Sequence, residues 1–164
     1  MATVHDVAAY ILSKSSRMTA MKLQKLVYYS QSWHLAWTGE PLFEEKIQAW
    51  ANGPVTYALF TQHRGKYWIS RADLSRGNPA GLSADQVSSI DAVIDAYGGL
   101  SGAQLSALIH AEKPWILART GLGDGDHSSE EISPESMRSY YANLAGSGNS
   151  VETVDEINFP AWML

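Results

Sequence analysis

A mainly α-helical single domain is what the sequence predicts: a helical bundle with at most a short β-strand pair and a long central loop. Three observations carry this expectation. Apolar residues recur at helical spacing in successive segments, most of them opened by a capping residue. Strict alternation is confined to one short run around Ile47. The 164 residues are 45% apolar and 18% charged, values of a chain able to bury one core.

Thr3 caps a first helix, whose stripe is Val4, Val7, Ala8, Ile11 and Leu12. Thr19 caps a second. Leu23, Leu26, Val27, Ser30, Trp33 and Trp37 share one face of it, and Lys22, Lys25, Tyr29 and Ser32 form a narrow polar stripe. The rest of its circumference is apolar or aromatic, which predicts a central helix packed on more than one side. Gly39 and Pro41 stop it. Ile47, Ala49 and Ala51 alternate with Gln48 and Trp50, a short strand broken at Gly53-Pro54. Pro54 suits the first position of a helix from Val55 to about His63.

Residues 64–82 hold no sustained period and read as the long loop. Ser83-x-x-Gln86 and Ser101-x-x-Gln104 are capping boxes for two further helices. Pro114 opens a short helix to about Arg119, and Ser133-Pro134 opens a last one containing Met137, Tyr140, Tyr141 and Leu144. The expected organisation is a helical domain over residues 1–145, a flexible linker over 146–150 ("GSGNS" begins at Gly146) and an acidic, then apolar, tail over 151–164.

No cysteine is present, so disulfides, thiolate metal sites and a cysteine nucleophile are excluded. No apolar run is long enough to span a bilayer, and the first residues lack a signal-peptide layout, so a cytoplasmic protein with no membrane partner is expected. Five scattered His form no zinc-protease pair. His110-Ala111-Glu112 imitates a deaminase H-x-E, but the partner cysteines do not exist, and His110 reads as a structural residue near a helix end. Asp124, Asp126 and Ser128 open like a calcium loop, yet the turn glycine is replaced by Ser129. No catalytic group, metal or cofactor is expected.

Charge is uneven. Residues 1–76 carry nine Lys/Arg against five Asp/Glu, and residues 77–164 carry three against twelve. The halves attract each other within one fold, or the acidic half faces a basic partner. Lys14, Arg17, Lys22 and Lys25 lie near aromatics, as in a nucleic-acid platform. The overall charge of −5 and the helical spacing of the aromatics argue against nucleic acid.

"MKLQKLVYYSQSWHLAWTGEPLF" followed by "AWANGPV" resembles the Panacea domain family of GepA- or SocA-like proteins. The residues that carry the resemblance are Lys22, Leu23, Gln24, Lys25, Leu26, Tyr28, Tyr29, Trp33, His34, Gly39, Leu42, Phe43, Trp50, Gly53, Pro54 and Val55. A weaker block adds His110 and Trp115, with Ile109 where the family often has Thr. The resemblance implies a non-enzymatic antitoxin of bacteria and phages, belonging to a type II toxin–antitoxin system. Such a protein binds and neutralises a cognate protein toxin, commonly encoded by the adjacent gene. The alternatives are an adaptor delivering the toxin to an ATP-dependent protease, or a nucleic-acid-binding operon repressor.

Periodicity reads most of the signature as scaffold. The partner surface is expected at an exposed Lys22, Lys25 and Tyr29 stripe, at the 64–82 loop, or at the tail, through Glu152, Asp155, Glu156, Phe159 and Trp162. Large apolar side chains in that tail either fold back on the domain or anchor a partner.

Overall fold

The computed structural model describes residues 2–146. Helix α1 spans Val4–Ser13, opened by a complete capping box: Thr3 Oγ1 accepts from the Asp6 N–H, and Asp6 Oδ2 from the Thr3 N–H. Strand β1 (Met18–Thr19) leads into α2 (Ala20–Thr38), where the Thr19 side chain caps Lys22 N–H. Helix α2 is the axis of the fold. Every residue from 23 to 35 is buried, because α1, α4, α5 and α7 surround it. It ends on Gly39, whose φ of 78° takes the left-handed cap and lets its N–H reach Leu35 O at 2.9 Å.

Strands β2 (Ile47–Trp50) and β3 (Gly53–Thr56) form an antiparallel hairpin with Trp50 opposite Gly53 and Ile47 opposite Thr56. Helix α3 (Tyr57–His63) follows, so Pro54 lies in a strand and not at the helix start the sequence suggested. The ladder tolerates it because a strand at a sheet edge can lack an N–H. A second strand pair joins β1 to β4 (Trp68–Ile69), fifty residues on, with Thr19 opposite Trp68. The 64–82 segment therefore holds β4 and two short 3₁₀ turns (Arg71–Asp73 and Pro79–Gly81), and packs on α1. At Gly77, φ is 100°, and a side chain there would strike the His5 carbonyl.

Both predicted capping boxes open α4 (Ala84–Tyr97) and α5 (Gly102–His110). Helix α6 (Lys113–Ala118) is short; α7 (Pro134–Gly146) lies along α2. Between them, the loop before α7 adds an edge to the hairpin through Ala49 N–H to Glu130 O and Ile132 N–H to Ile47 O, each 2.8 Å. One continuous core joins α1, α2, α4, α5 and α7, built around Leu23, Leu26, Val27, Trp33, Ile90, Val93, Leu105 and Tyr141. The mainly helical single-domain fold is as the sequence predicts; the β1–β4 pair is the addition. The expected linker past Gly146 and the tail over residues 151–164 lie outside the described residues.

Candidate functional site

Three buried polar clusters hang from α2. In the first, Gln24 accepts the Thr56 N–H at 2.9 Å and donates to the Thr56 carbonyl at 3.2 Å, with His63 Nε2 2.9 Å from its amide nitrogen. The next residue, Lys25, is 2% exposed, and its Nζ donates to Pro54 O at 3.2 Å. Burial lowers its pKa to about 7. Gly53 makes room for it: a Cβ there would lie 2.6 Å from Lys25 Cε, and its φ of 118° disfavours any side chain. Lys25 and Gln24 thus fasten the hairpin to α2.

The second cluster surrounds Glu112, in the α5–α6 connection. Tyr29 and Tyr141 donate hydroxyls to Glu112 Oε1 at 2.7 and 2.8 Å, and the Tyr28 and Tyr141 hydroxyls are 3.1 Å apart. Tyr29 stacks on Tyr97 with ring centres 4.0 Å apart, and Tyr97 Oη accepts from Trp33 Nε1 at 3.0 Å. Burial raises the Glu112 pKa to about 7, against the lowering effect of its two tyrosine hydrogen bonds. Burial and the Glu112 charge push Tyr29, Tyr97 and Tyr141 well above the usual phenol range. Among the described residues the ion pair within 4 Å is Lys66–Asp73, so neither Lys25 nor Glu112 has an opposite charge beside it.

The third cluster locks the end of α2. Gln31 accepts from Leu42 N–H and donates to Phe43 O, both at 2.7 Å, while His34 Nδ1 meets Ser89 Oγ at 2.8 Å. Below the hairpin, His110 stacks on Trp115 at 3.9 Å, and Trp115 Nε1 donates to Trp50 O at 2.9 Å. His110 is thus the last residue of α5, with its ring packed on Trp115.

These clusters correct the expected partner stripe. Lys25 and Tyr29 are not at the surface; they are consumed by Pro54 O and Glu112. Ser32, on the same stripe, is fully buried. Lys22 is half-buried, and its Nζ donates to Gly98 O at 2.5 Å, holding the end of α4. Glu152, Asp155, Glu156, Phe159 and Trp162 lie outside the described residues. Leu23, Leu26, Tyr28, Trp33, Leu42, Phe43 and Val55 are core, as periodicity implies.

The exterior offers what the stripe does not. Tyr67, Trp68 and Tyr57 are 73%, 49% and 44% exposed, beside Arg17, Arg64 and a half-buried Phe60. On α6, Ile116 and Leu117 are also exposed. Sequence reading named Glu112 only within the rejected H-x-E pattern and missed it as the acceptor of Tyr29 and Tyr141.

The buried signature that builds this scaffold coincides with a known domain: "Antitoxin SocA-like, Panacea domain" matches residues 23–116, more than half of the chain. The chain belongs to the SocA-like Panacea family. A curated relative, antitoxin SocA of Caulobacter vibrioides (strain NA1000 / CB15N), is 32% identical over 132 residues, covering 71% of this chain and 70% of the relative. No solved structure matches the chain. Family membership gives this Panacea protein an antitoxin role in the general sense. Among its described helices none is long and apolar enough to cross a membrane.

Proposed function

We propose that this Panacea protein is the antitoxin of a type II pair, acting in the cytoplasm and neutralising a cognate protein toxin by direct binding. The toxin is the product of the adjacent gene, and the antitoxin needs no catalysis. The observation that carries the reading is the family match over residues 23–116, the segment that supplies the buried Gln24, Lys25, Tyr29 and Glu112. Lys25, Tyr29 and Glu112 are committed to the scaffold, so recognition falls to the exposed positions it displays. Burying exposed aromatics in a partner is the usual source of hot-spot energy.

Co-expression with the neighbouring gene tests this. The expected result is restored growth, a complex that survives gel filtration, and an unchanged toxin half-life. Restored growth with a shortened half-life would instead mark an adaptor for proteolysis. Folded protein that neither binds the neighbour nor restores growth overturns the reading.

A further inference from the structure

We propose that the basic aromatic face made by Arg17, Tyr57, Phe60, Arg64, Tyr67 and Trp68 binds a carboxylate-bearing, partly apolar segment of the protein partner. The proposal rests on the direct-binding function above and gives that function a surface.

The face is built from two clusters beside one turn. In the first, the Arg17 guanidinium lies over the Trp68 ring at 4.5 Å, and Trp68 meets Tyr67 edge-on at 5.5 Å. In the second, the Arg64 guanidinium lies over Phe60 at 5.2 Å while its Nη2 donates to the Tyr57 hydroxyl at 2.9 Å. Phe60 and Tyr57 rings are 5.9 Å apart. Only three residue steps separate Arg64 from Tyr67, so the backbones of these two residues, one from each cluster, are within about 10 Å. The Lys66 N–H to His63 O bond of 2.9 Å bends that turn and shortens the span further.

Three features select the ligand. Tyr, Trp and Arg are the side chains that dominate interface energies. Both guanidiniums lie over aromatic rings, which restrains them before a partner arrives and lowers the ordering cost of a bidentate carboxylate contact. Among the described residues no carboxylate lies within 4 Å of either guanidinium, so the charge on this face is not already satisfied from within. A single-stranded nucleic acid is the other ligand of basic aromatic surfaces, through base stacking. Here the Arg17 and Arg64 guanidiniums already cover one face each of Trp68 and Phe60, which leaves less ring surface for base stacking, so a carboxylate partner is favoured.

The test uses the full chain and three variants: Arg17→Glu/Arg64→Glu, Trp68→Ala, and Leu117→Ser on the separate α6 surface as a control. The probes are the neighbouring gene's protein, a labelled oligoglutamate and an oligouridylate of equal length. The expected result is that the first two variants keep the wild-type melting temperature and lose at least about 30-fold in affinity for the neighbour, the scale of one hot-spot residue. Leu117→Ser should bind as wild type. Oligoglutamate should bind weakly, more weakly as salt rises, and not to the double-glutamate variant.

Unchanged affinity of folded Arg17→Glu/Arg64→Glu for the neighbour overturns this surface and leaves the proposed function standing. Tighter binding of oligouridylate than oligoglutamate, lost in the same variant, overturns it in favour of nucleic acid. If the wild-type chain fails to bind the neighbour at all, the proposed function falls, and the oligoglutamate result alone decides the surface: no binding overturns it.

Discussion

Replacing Glu112 by Gln should make the domain less sensitive to rising pH. In the folded protein the Glu112 pKa is raised from 4.5 to about 7, mainly by burial. A raised folded-state pKa means that its stability contribution is fully present below pH 4.5 and is lost as pH rises through 7. Between those values the native state holds a proton that the unfolded chain has released, so stability falls by 1.36 kcal/mol per pH unit, about 3 kcal/mol in all. Gln keeps the shape and an oxygen acceptor for the Tyr29 and Tyr141 hydroxyls, and it cannot ionise. Urea titrations of both proteins at pH 4.5, 6, 7 and 8 should show Glu112→Gln gaining on the wild type by about 3 kcal/mol across the series, with no further gain above pH 8. His5, His34, His63 and His110, all lowered by burial, titrate in an overlapping window with the opposite sign. The charges that act on them are others, Arg76, Asp85, Lys25 and Arg119 among them, so their effect is common to both proteins and cancels in the difference. A difference that stays flat with pH would refute the claim that Glu112 is buried without a counter-charge.

Lys25 should behave in the mirror sense. Its pKa falls from 10.5 to about 7, so its contribution is present above pH 10.5 and is lost as pH falls through 7; Lys25→Met should gain on the wild type by up to about 4 kcal/mol between pH 10 and 7 in the same titrations. Gly53→Ala should destabilise by about 1–3 kcal/mol or more, since the new Cβ meets a φ of 118° and the Lys25 stem together, and a normal denaturation midpoint would show that the hairpin can move aside.

Local signals were legible because they need only neighbours in sequence. Thr3, Ser83 and Ser101 each close a capping box with a residue three positions on, and Gly39 ends α2 by its own backbone freedom. The all-round apolar character of α2 also gave its central place. What failed was the partner of each polar group on α2. Polar residues at Lys25, Tyr29 and Ser32 have the spacing of a solvent face. Yet the Lys25 acceptor lies 29 residues away and the Tyr29 acceptor 83 residues away, so no window around α2 contains them. Strands β1 and β4 escaped notice because two residues cannot display a period. Pro54 misled because the same missing N–H suits a helix start and an edge strand alike.

The buried polar clusters have a further consequence for how such a domain works. A core of aliphatic side chains alone tolerates many packings, whereas a hydroxyl or amine out of register in the interior is left unpaired and costly. Gln24, Lys25, Tyr29 and Gln31 each reach a different distant segment: Thr56, Pro54, Glu112 and Phe43 respectively. A shift of α2 by one residue would therefore break all four links together. That ties the hairpin, the α5–α6 connection and the segment after α2 to a single arrangement. Tyr141 extends the same constraint to α7 through Glu112. With the arrangement fixed from inside, the exposed residues at Tyr57, Arg64, Tyr67 and Trp68 contribute little to specifying it. Surface substitutions away from special features cost less than about 0.5 kcal/mol. The scaffold can thus hold its shape while its outer face varies, which is the division of labour that the proposed direct binding of a toxin requires.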